Sequence, residues 1–148
     1  MRAFLAGRPC LVRNPAAIRP WQFVLDPLRG YLVLAERLAE DAGRFGTGWN
    51  FGPGEDDAKP VSWVADELTR AWGERASWSK DGRPHPAEAQ HLKLDGSRAR
   101  ACLDWRPQLP LRQAIEWIVE WYRGFAAGND LPRVTRGQIE RYEALARD

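Results

Sequence analysis

The chain of 148 residues has few of the residues that mark several common classes of protein. It contains two cysteines, two histidines and one methionine, so neither a disulfide framework nor a zinc site is expected. No apolar run approaches the roughly 20 residues of a membrane span, and no basic and then apolar stretch suggests a signal peptide. We therefore expect a cytoplasmic protein in which Cys10 and Cys102 are reduced, buried thiols.

An excess of charge of one sign is also missing. The formal net charge is +2, and the acidic and basic residues are spread over both halves of the chain. Such a balance gives no electrostatic footprint for nucleic acid or for an anionic membrane, so neither is expected as a partner. Arginine far outnumbers lysine, which hints at a GC-rich bacterial genome.

Apolar and aromatic residues, by contrast, are plentiful. Hydrophobic residues make up 44% of the chain and eight residues are tryptophan, enough for one domain spanning residues 1–148. The tryptophans suit either a core or a surface on which sugars stack. Trp72 and Trp117 fall within amphipathic helical patterns, which favours the core and makes a carbohydrate-binding module the weakest alternative.

Apolar residues at helical spacing predict the main helices. Asp26 as N-cap and Pro27 at the first helical position start the first of them. Its apolar stripe consists of Leu28, Tyr31, Leu32, Ala35, Leu38 and Ala39. Ser62 is expected to cap a second helix that Gly73 closes. The clearest pattern runs over 111–125.

Shorter signals complete the predicted fold. Asp95 starts a short helix, and a capping-box pattern of Thr135 and Gln138 starts a terminal helix over 135–148. Strands are expected at 9–13, 49–51, 76–79 and 91–94. The prediction is an α/β fold, a small helix-rich mixed domain whose few short strands are mostly parallel or isolated.

Recognised catalytic motifs are missing from the sequence. It has no G-x-S-x-G nucleophile elbow and no H-E-x-x-H. Gly46 and Gly48 precede the strand candidate at 49–51, and after Gly52 a helix starts only about ten residues later, which disfavours a dinucleotide loop. The segment Arg19-Pro20-Trp21-Gln22 offers either an arginine held ready for a phosphate or a surface arginine beside a tryptophan that anchors the loop.

Several strings of residues together carry a family resemblance. They are Arg13-Asn14-Pro15, Arg19-Pro20-Trp21-Gln22, Gly30-Tyr31-Leu32, Trp49-Asn50-Phe51-Gly52-Pro53, Asp57-Ala58-Lys59-Pro60-Val61 and Leu92-Lys93-Leu94-Asp95. They resemble the carboxyl-terminal half of CDP-glucose 4,6-dehydratases, from about residue 2 to residue 142. The segment Asp95-Gly96-Ser97-Arg98-Ala99 fits the D-x-S-[KR]-A pattern of the wider extended short-chain dehydrogenase/reductase (epimerase/dehydratase) superfamily.

The resemblance implies the substrate-binding half of an NAD-dependent lyase. Such enzymes make a 4-keto-6-deoxy nucleotide sugar for bacterial surface polysaccharide, and their Rossmann half holds NAD and a Tyr-x-x-x-Lys pair. In this chain Tyr31, Tyr122 and Tyr142 are each followed four residues later by alanine. We therefore expect a fragment that lacks the Rossmann half, binds no NAD by itself and is inactive alone. The alternatives are a free-standing binding or regulatory module, or the same half of a related epimerase or reductase.

The resemblance also implies a CDP-sugar ligand and a set of binding residues. Arg19, with Trp21 and Gln22 in its loop, matches an arginine that contacts the sugar-nucleotide diphosphate. Glu88 matches an acidic position of the site, and His85 stands where a second diphosphate-binding arginine is common. An apolar face that the Rossmann half would cover is expected to cause self-association.

Overall fold

The computed structural model describes residues 1–73 and 76–145, which form seven α-helices and four three-residue strands. In chain order the elements are α1 (Arg2–Leu5), β1 (Cys10–Val12), β2 (Ile18–Pro20), α2 (Leu25–Glu40), α3 (Ala42–Phe45), β3 (Ala58–Pro60), α4 (Val61–Trp72), β4 (Trp78–Lys80), α5 (Ser97–Leu103), α6 (Leu111–Ala126) and α7 (Leu131–Leu145). The helix-rich α/β class is thereby confirmed. None of the described helices is both long enough and apolar enough to cross a membrane.

The strands form two separate pairs. β1 runs parallel to β4, with Cys10 opposite Trp78 and Val12 opposite Lys80. β2 runs antiparallel to β3, with Arg19 opposite Lys59, so the expectation of mostly parallel or isolated strands is wrong for this pair. The predicted strand at 9–13 is confirmed as β1.

Two other predicted strands do not form. Residues 49–51 lie outside the described strands. The Gln22 amide donates to the Phe51 carbonyl at 2.8 Å. At 91–94 the chain makes a single parallel bridge, between His91 and Ile18. The strand expected at 76–79 is present as β4, shifted to Trp78–Lys80.

Three apolar clusters hold the helices together. The first joins α6 and α7 to the segment before α2, and consists of Phe23, Leu109, Ala114, Trp117 and Tyr142. The second lies between α2, α3 and α5 and consists of Phe45, Phe51, Ala99, Leu103 and Trp105. The third packs α4 on α6 through Val64, Leu111 and Ile115. Of the eight tryptophans, Trp105 and Trp117 are buried, and the other six, Trp72 among them, are partly buried.

Helix α2 corrects the sequence-based prediction in two ways. It begins at Leu25, and Asp26 does not cap it but is fully buried in its first turn. Most of the predicted apolar stripe faces solvent, with Leu28, Tyr31 and Leu32 between 46% and 69% exposed, whereas its member Leu38 packs on the second cluster. The core side is formed by Gly30, with the partly buried Val33, Leu34 and Leu38 packed on the second cluster. The helix is apolar on two opposite sides, and periodicity alone does not tell which of them is buried.

Helix boundaries elsewhere agree in part with the predictions. Gly73 closes α4 with φ of +97°, and α6 coincides with the predicted pattern. The Asp95 carboxylate accepts a 2.8 Å hydrogen bond from the Ser97 amide at the start of α5. Ser62 does not cap α4, which follows Pro60 directly. Cys102 is exposed and Cys10 is only partly buried, so the expectation of buried thiols is wrong; both thiols are free.

The prediction of a capping box at the start of the last helix is also wrong. α7 begins at Leu131, and Asp130 accepts from the Arg133 amide at 3.2 Å. Thr135 lies inside the helix, where its hydroxyl accepts from Trp121 Nε1, and Gln138 donates to the Trp117 carbonyl. Both side chains face α6, and therefore neither serves as a cap. The predicted end of this helix, 146–148, lies outside the described residues.

Candidate substrate-binding site

The candidate site lies where the parallel strands β1 and β4 end. Arg13 follows β1 directly and Lys80 is the last residue of β4. Because parallel strands end at the same edge, both side chains reach the same side, the edge at which α/β folds bind ligands. The loop over 81–90 lies against this edge, and together they line a cavity of about 580 Å³.

Glu88 is the central residue of this cavity. Its Oε1 lies 3.0 Å from Arg13 Nη2 and its Oε2 lies 3.5 Å from Arg19 Nη2. Arg19 is held further by a 2.9 Å hydrogen bond from Nη1 to the Ile18 carbonyl. One carboxylate thus bridges two guanidinium groups that are six positions apart in sequence.

A second ion cluster forms the other wall. The Asp81 side chain is only 6% exposed and accepts from Arg83 Nε and Nη2. His85 Nε2 lies 3.1 Å from Asp81 Oδ2. The hydrogen bonds from Arg83 hold the pKa of Asp81 well below its usual range. His85 and Glu88 line the same cavity, and Glu88 in turn contacts Arg19.

The cavity carries more positive than negative charge. Arg13, Lys80 and Arg83 line it and Arg19 contacts it through Glu88, whereas its carboxylates are Asp81 and Glu88. Planar guanidinium groups bind phosphate oxygens with two parallel hydrogen bonds, and lysine adds a point charge. The arrangement is chemically suited to a phosphorylated ligand.

Trp21 and Gln22 lie apart from this cavity. The indole Nε1 of Trp21 donates to the Lys59 carbonyl at 2.9 Å, and its ring packs on the third cluster. The Gln22 amide nitrogen binds the Phe51 carbonyl, while its Oε1 is buried and makes no hydrogen bond. Both side chains secure the loop that carries Arg19, which matches the anchoring alternative of the sequence analysis.

Arg13 was not singled out as a site residue from the sequence, although it belongs to one of the strings that carry the resemblance. The signal was its position as the last residue of the strand predicted at 9–13. That signal became useful only with the parallel pairing of β1 with β4, which links residues 68 positions apart, as in the pair Cys10 and Trp78.

Two of the three strand-to-helix connections in the described residues, from β2 to α2 and from β3 to α4, contain no glycine, and the third, from β4 to α5, contains only Gly82 and Gly96. A pyrophosphate loop has closely spaced glycines where a strand passes into a helix, and none of these connections has that pattern. Gly52 packs so closely on Leu94 that a Cβ at position 52 would lie 2.8 Å from the Leu94 side chain. Gly52 therefore serves packing, whereas a Cβ on Gly48 would meet nothing within 4 Å.

The environment of Tyr142 also differs from that of a catalytic tyrosine. The Tyr142 hydroxyl donates to the buried Asp26 carboxylate at 2.7 Å, and burial together with this carboxylate raises the pKa of Tyr142 above its usual value of 10. A catalytic tyrosinate needs a lowered pKa, so Tyr142 has the environment of a structural residue.

Comparison with known proteins supports the resemblance. The chain is 42% identical over 142 residues to CDP-glucose 4,6-dehydratase of Salmonella typhimurium, covering 96% of the chain and 40% of that protein. It is 28% identical over 115 residues to dTDP-glucose 4,6-dehydratase of Haemophilus influenzae, of which it covers 32%. The chain thus spans about two fifths, or less, of the curated relatives that it matches. No family model matches it.

The fold has a relative among solved structures. A UDP-glucose 4-epimerase of Thermotoga maritima, solved with UDP-glucose, superposes with a TM-score of 0.59 at 21% identity. The superposition covers 83% of this chain and 37% of the epimerase. The chain is therefore similar, over nearly all its length, to the carboxyl-terminal part of CDP-glucose 4,6-dehydratase, and it has the fold of the corresponding part of an extended short-chain dehydrogenase/reductase.

Proposed function

We propose that this chain binds a CDP-sugar and is the substrate-binding part of an NAD-dependent lyase that makes a 4-keto-6-deoxy nucleotide sugar. The observation that carries the proposal is the convergence of Arg13 and Arg19 on Glu88 at the end of the parallel strand pair. The diphosphate of a nucleotide sugar is the ligand group that such a pair of guanidinium groups suits best.

Glu88 orients both arginines before the ligand arrives. Arg19 is largely buried, with 23% of its side chain exposed, whereas Arg13 is 59% exposed. Ordering long side chains on binding reduces affinity, so arginines that are already fixed bind more tightly. Arg19 is the fixed contact in this arrangement and Arg13 the adjustable one, and Lys80 adds a positive charge to the cavity that His85 also lines.

The comparisons support the choice of ligand class. The solved epimerase was crystallised with UDP-glucose, and the relative with the higher identity is a CDP-glucose dehydratase. We infer a nucleotide sugar from the site and a cytidine nucleotide from the sequence relationship. The proposed setting is the cytoplasm of a bacterium, in the synthesis of surface polysaccharide.

The chemical step is proposed to depend on residues outside this chain. In the whole family enzyme NAD supplies hydride transfer. Among the strand-to-helix connections of the described residues none has the glycine pattern of a dinucleotide loop, and burial raises the pKa of Tyr142. We propose that the chain holds the diphosphate and positions the sugar, does not bind NAD by itself and has no turnover alone.

Calorimetric titration with CDP-glucose and CDP tests the binding site. Removing one arginine that binds a phosphate deletes a charge-assisted hydrogen bond worth about 1.5–3 kcal/mol, so Arg19→Ala and Arg13→Ala should each weaken binding roughly 10- to 100-fold. Arg136→Ala on α7 removes the same charge at an exposed position away from the cavity and is the matched control. Equal affinity of all four proteins would contradict the proposed site.

Two further measurements test specificity and chemistry. Tighter binding of UDP-glucose or dTDP-glucose than of CDP-glucose would favour the same half of a related epimerase or reductase. Formation of a 4-keto sugar from CDP-glucose and NAD by this chain alone, followed by mass spectrometry, would overturn the proposal that it lacks turnover.

A further inference from the structure

A second cavity lies against the other face of the β2–β3 pair. Successive side chains of a strand point to opposite faces, so Pro20 faces away from Arg19, and it lies opposite Ala58 in the register of the pair. Both Pro20 and Ala58 line a cavity of about 570 Å³. Among the described residues this cavity shares none of its lining with the cavity around Glu88. We call it the α5 cavity, after the helix that carries Arg100 in its wall.

Three cationic side chains converge on the α5 cavity from different parts of the chain. Lys93 belongs to the segment before α5, Arg100 to α5 itself and Arg106 to the segment that follows this helix. Within the part of the chain that the structure describes, no carboxylate forms an ion pair with any of the three. Their charges are therefore available to a ligand, whereas the two arginines of the other cavity share one carboxylate.

The two carboxylates that line the α5 cavity leave an excess of positive charge. The Asp95 carboxylate accepts a hydrogen bond from the Ser97 amide, and Ser97 together with the nearby charge of Arg100 holds the pKa of Asp95 below its usual value. Glu55 is the second carboxylate. Three cations thus stand against two anions. Charges of the same sign repel, and an anion that binds among the cations relieves this repulsion.

Gly96 makes room for the guanidinium group of Arg100. A Cβ at position 96 would lie 3.3 Å from Arg100 Nη1 and 3.5 Å from the Gly52 nitrogen. The arginine side chain therefore folds back over the glycine at the start of α5, and it is partly buried there. A side chain that is held in place before a ligand arrives loses less freedom on binding, which favours affinity.

Other walls of the α5 cavity are apolar and stiff. Pro20, Pro53 and Pro107 line it together with Leu94, and a proline ring fixes the backbone dihedral φ. Sites for small molecules combine apolar walls with a few charged groups and have volumes of roughly 300–1,000 Å³. The α5 cavity has both properties, which favours a small ligand with an anionic and an apolar part.

We propose that the α5 cavity is a second anion site and that it binds a small phosphate monoester. Such a phosphate presents three acceptor oxygens and carries nearly two negative charges at neutral pH. It therefore suits three cationic donors better than a carboxylate does, since a carboxylate has two oxygens and one charge. The prolines and Leu94 would contact the rest of the ester. The proposal does not depend on the nucleotide-sugar site, because the two cavities have separate linings.

Two-dimensional ¹H–¹⁵N NMR of the whole chain, titrated with glucose 6-phosphate, tests the location. The amide signals of Gly54, Glu55 and Lys93 should shift and reach saturation, because these residues line the α5 cavity. Glucose without the phosphate should leave the same signals in place. Shifts confined to residues 81–90, around the other cavity, would overturn the proposal.

Substitutions test the cationic side chains. Arg100→Ala and Arg106→Ala should each weaken the binding of glucose 6-phosphate at least tenfold, because each removes a charge-assisted hydrogen bond. Arg136→Ala removes the same charge at an exposed position on α7 and should bind like wild type. Arg106 is also exposed, so its variant decides the outcome if Arg100→Ala is poorly folded. Wild-type affinity in the folded variants of both positions would overturn the proposal.

Two cross-controls separate this site from the nucleotide-sugar site. Arg19→Ala should bind glucose 6-phosphate as wild type does, and Arg106→Ala should bind CDP-glucose as wild type does. Loss of glucose 6-phosphate binding in Arg19→Ala would assign this ligand to the cavity of Glu88 and overturn the second site. Absence of CDP-glucose binding would contradict the proposed function alone. Tighter binding of succinate than of glucose 6-phosphate would overturn the choice of a phosphate monoester.

Discussion

The hydroxyl of Tyr142 donates a 2.7 Å hydrogen bond to Oδ1 of Asp26, 116 residues earlier in the chain. The same carboxylate oxygen accepts from the Gln108 amide at 2.7 Å, and the Asp26 carbonyl accepts from Trp105 Nε1. Asp26 is fully buried. It therefore connects three parts of the chain: helix α2, the segment that precedes α6, and helix α7.

This connection predicts the effect of Tyr142→Phe. The change leaves the ring in the first cluster and removes one hydrogen bond to a buried carboxylate, which should lower the free energy of unfolding by about 1–3 kcal/mol. Urea unfolding measures it. Tyr122→Phe on α6 removes a hydroxyl from a less buried ring and should change stability by less than about 0.5 kcal/mol. Similar losses in both variants would argue against a special role for the Asp26 contact.

The pH dependence of stability follows from the environment of Asp26. Burial raises the pKa of Asp26 above its usual 3.8, although Gln108 and Tyr142 oppose the shift. Because the folded-state pKa is higher than the unfolded one, the contribution of Asp26 is most favourable below about pH 4 and declines as the pH rises through the folded-state value. The unfolding free energy of wild type relative to Asp26→Asn should therefore fall over that range and then level off.

Asp81 provides a control of opposite sign. Its pKa is lowered by Arg83, so its stabilising contribution is present above pH 4 and is lost as the pH falls. The wild type minus Asp81→Asn difference should accordingly decrease towards acid. A flat profile for both pairs of proteins would contradict the assigned environments.

Gly30 allows a test of the buried side of α2. A Cβ at this position would lie 2.7 Å from Cε1 and 2.8 Å from Cγ of the Phe51 ring. Gly30→Ala should therefore destabilise by about 1–3 kcal/mol through overpacking, although alanine is the better helix former. In α7 a Cβ on Gly137 would meet nothing within 4 Å, so Gly137→Ala should stabilise by about 0.5–1 kcal/mol. Thermal unfolding of both variants checks the opposite signs.

The start of α7 predicts which polar residue stabilises that helix. Asp130 accepts from the Arg133 amide, so Asp130→Ala should cost about 1 kcal/mol. Thr135→Val removes a hydroxyl within the helix that only accepts from Trp121, and should be the milder change. A larger loss of unfolding free energy in Thr135→Val than in Asp130→Ala, measured by urea unfolding, would favour Thr135 as the cap of α7, as the sequence predicted.

The long amphipathic patterns were predictable because their signals are local. α6 and the glycine that ends α4 needed only spacing and the conformational freedom of Gly73. The capping roles predicted for Asp26 and Thr135 are wrong for the opposite reason. Each has the residue type and neighbours of a cap, but a tertiary contact from a distant residue takes its side chain, and no local pattern reports that contact.

The site was predictable to a similar extent. Arg19, His85 and Glu88 were named from the resemblance, and the structure places all three at or beside one cavity, although their binding role stays a prediction. Trp21 and Gln22 were assigned to the same role, yet their polar groups bind backbone carbonyls elsewhere. Arg13 was missed as a binding residue because its nearness to Glu88 arises from the pairing of β1 with β4 and not from its neighbours in sequence.

Strand β3 passes into α4 without an intervening residue, from Pro60 to Val61. Lys59 lies opposite Arg19 in the β2–β3 pair, and Glu67 of α4 binds Arg112 of α6 at 2.7 Å. The backbone of the strand thus continues directly into the helix that packs on α6. We therefore expect a substitution that displaces α4 on α6 to displace the strand paired with Arg19 as well, and so to change the position of that guanidinium group.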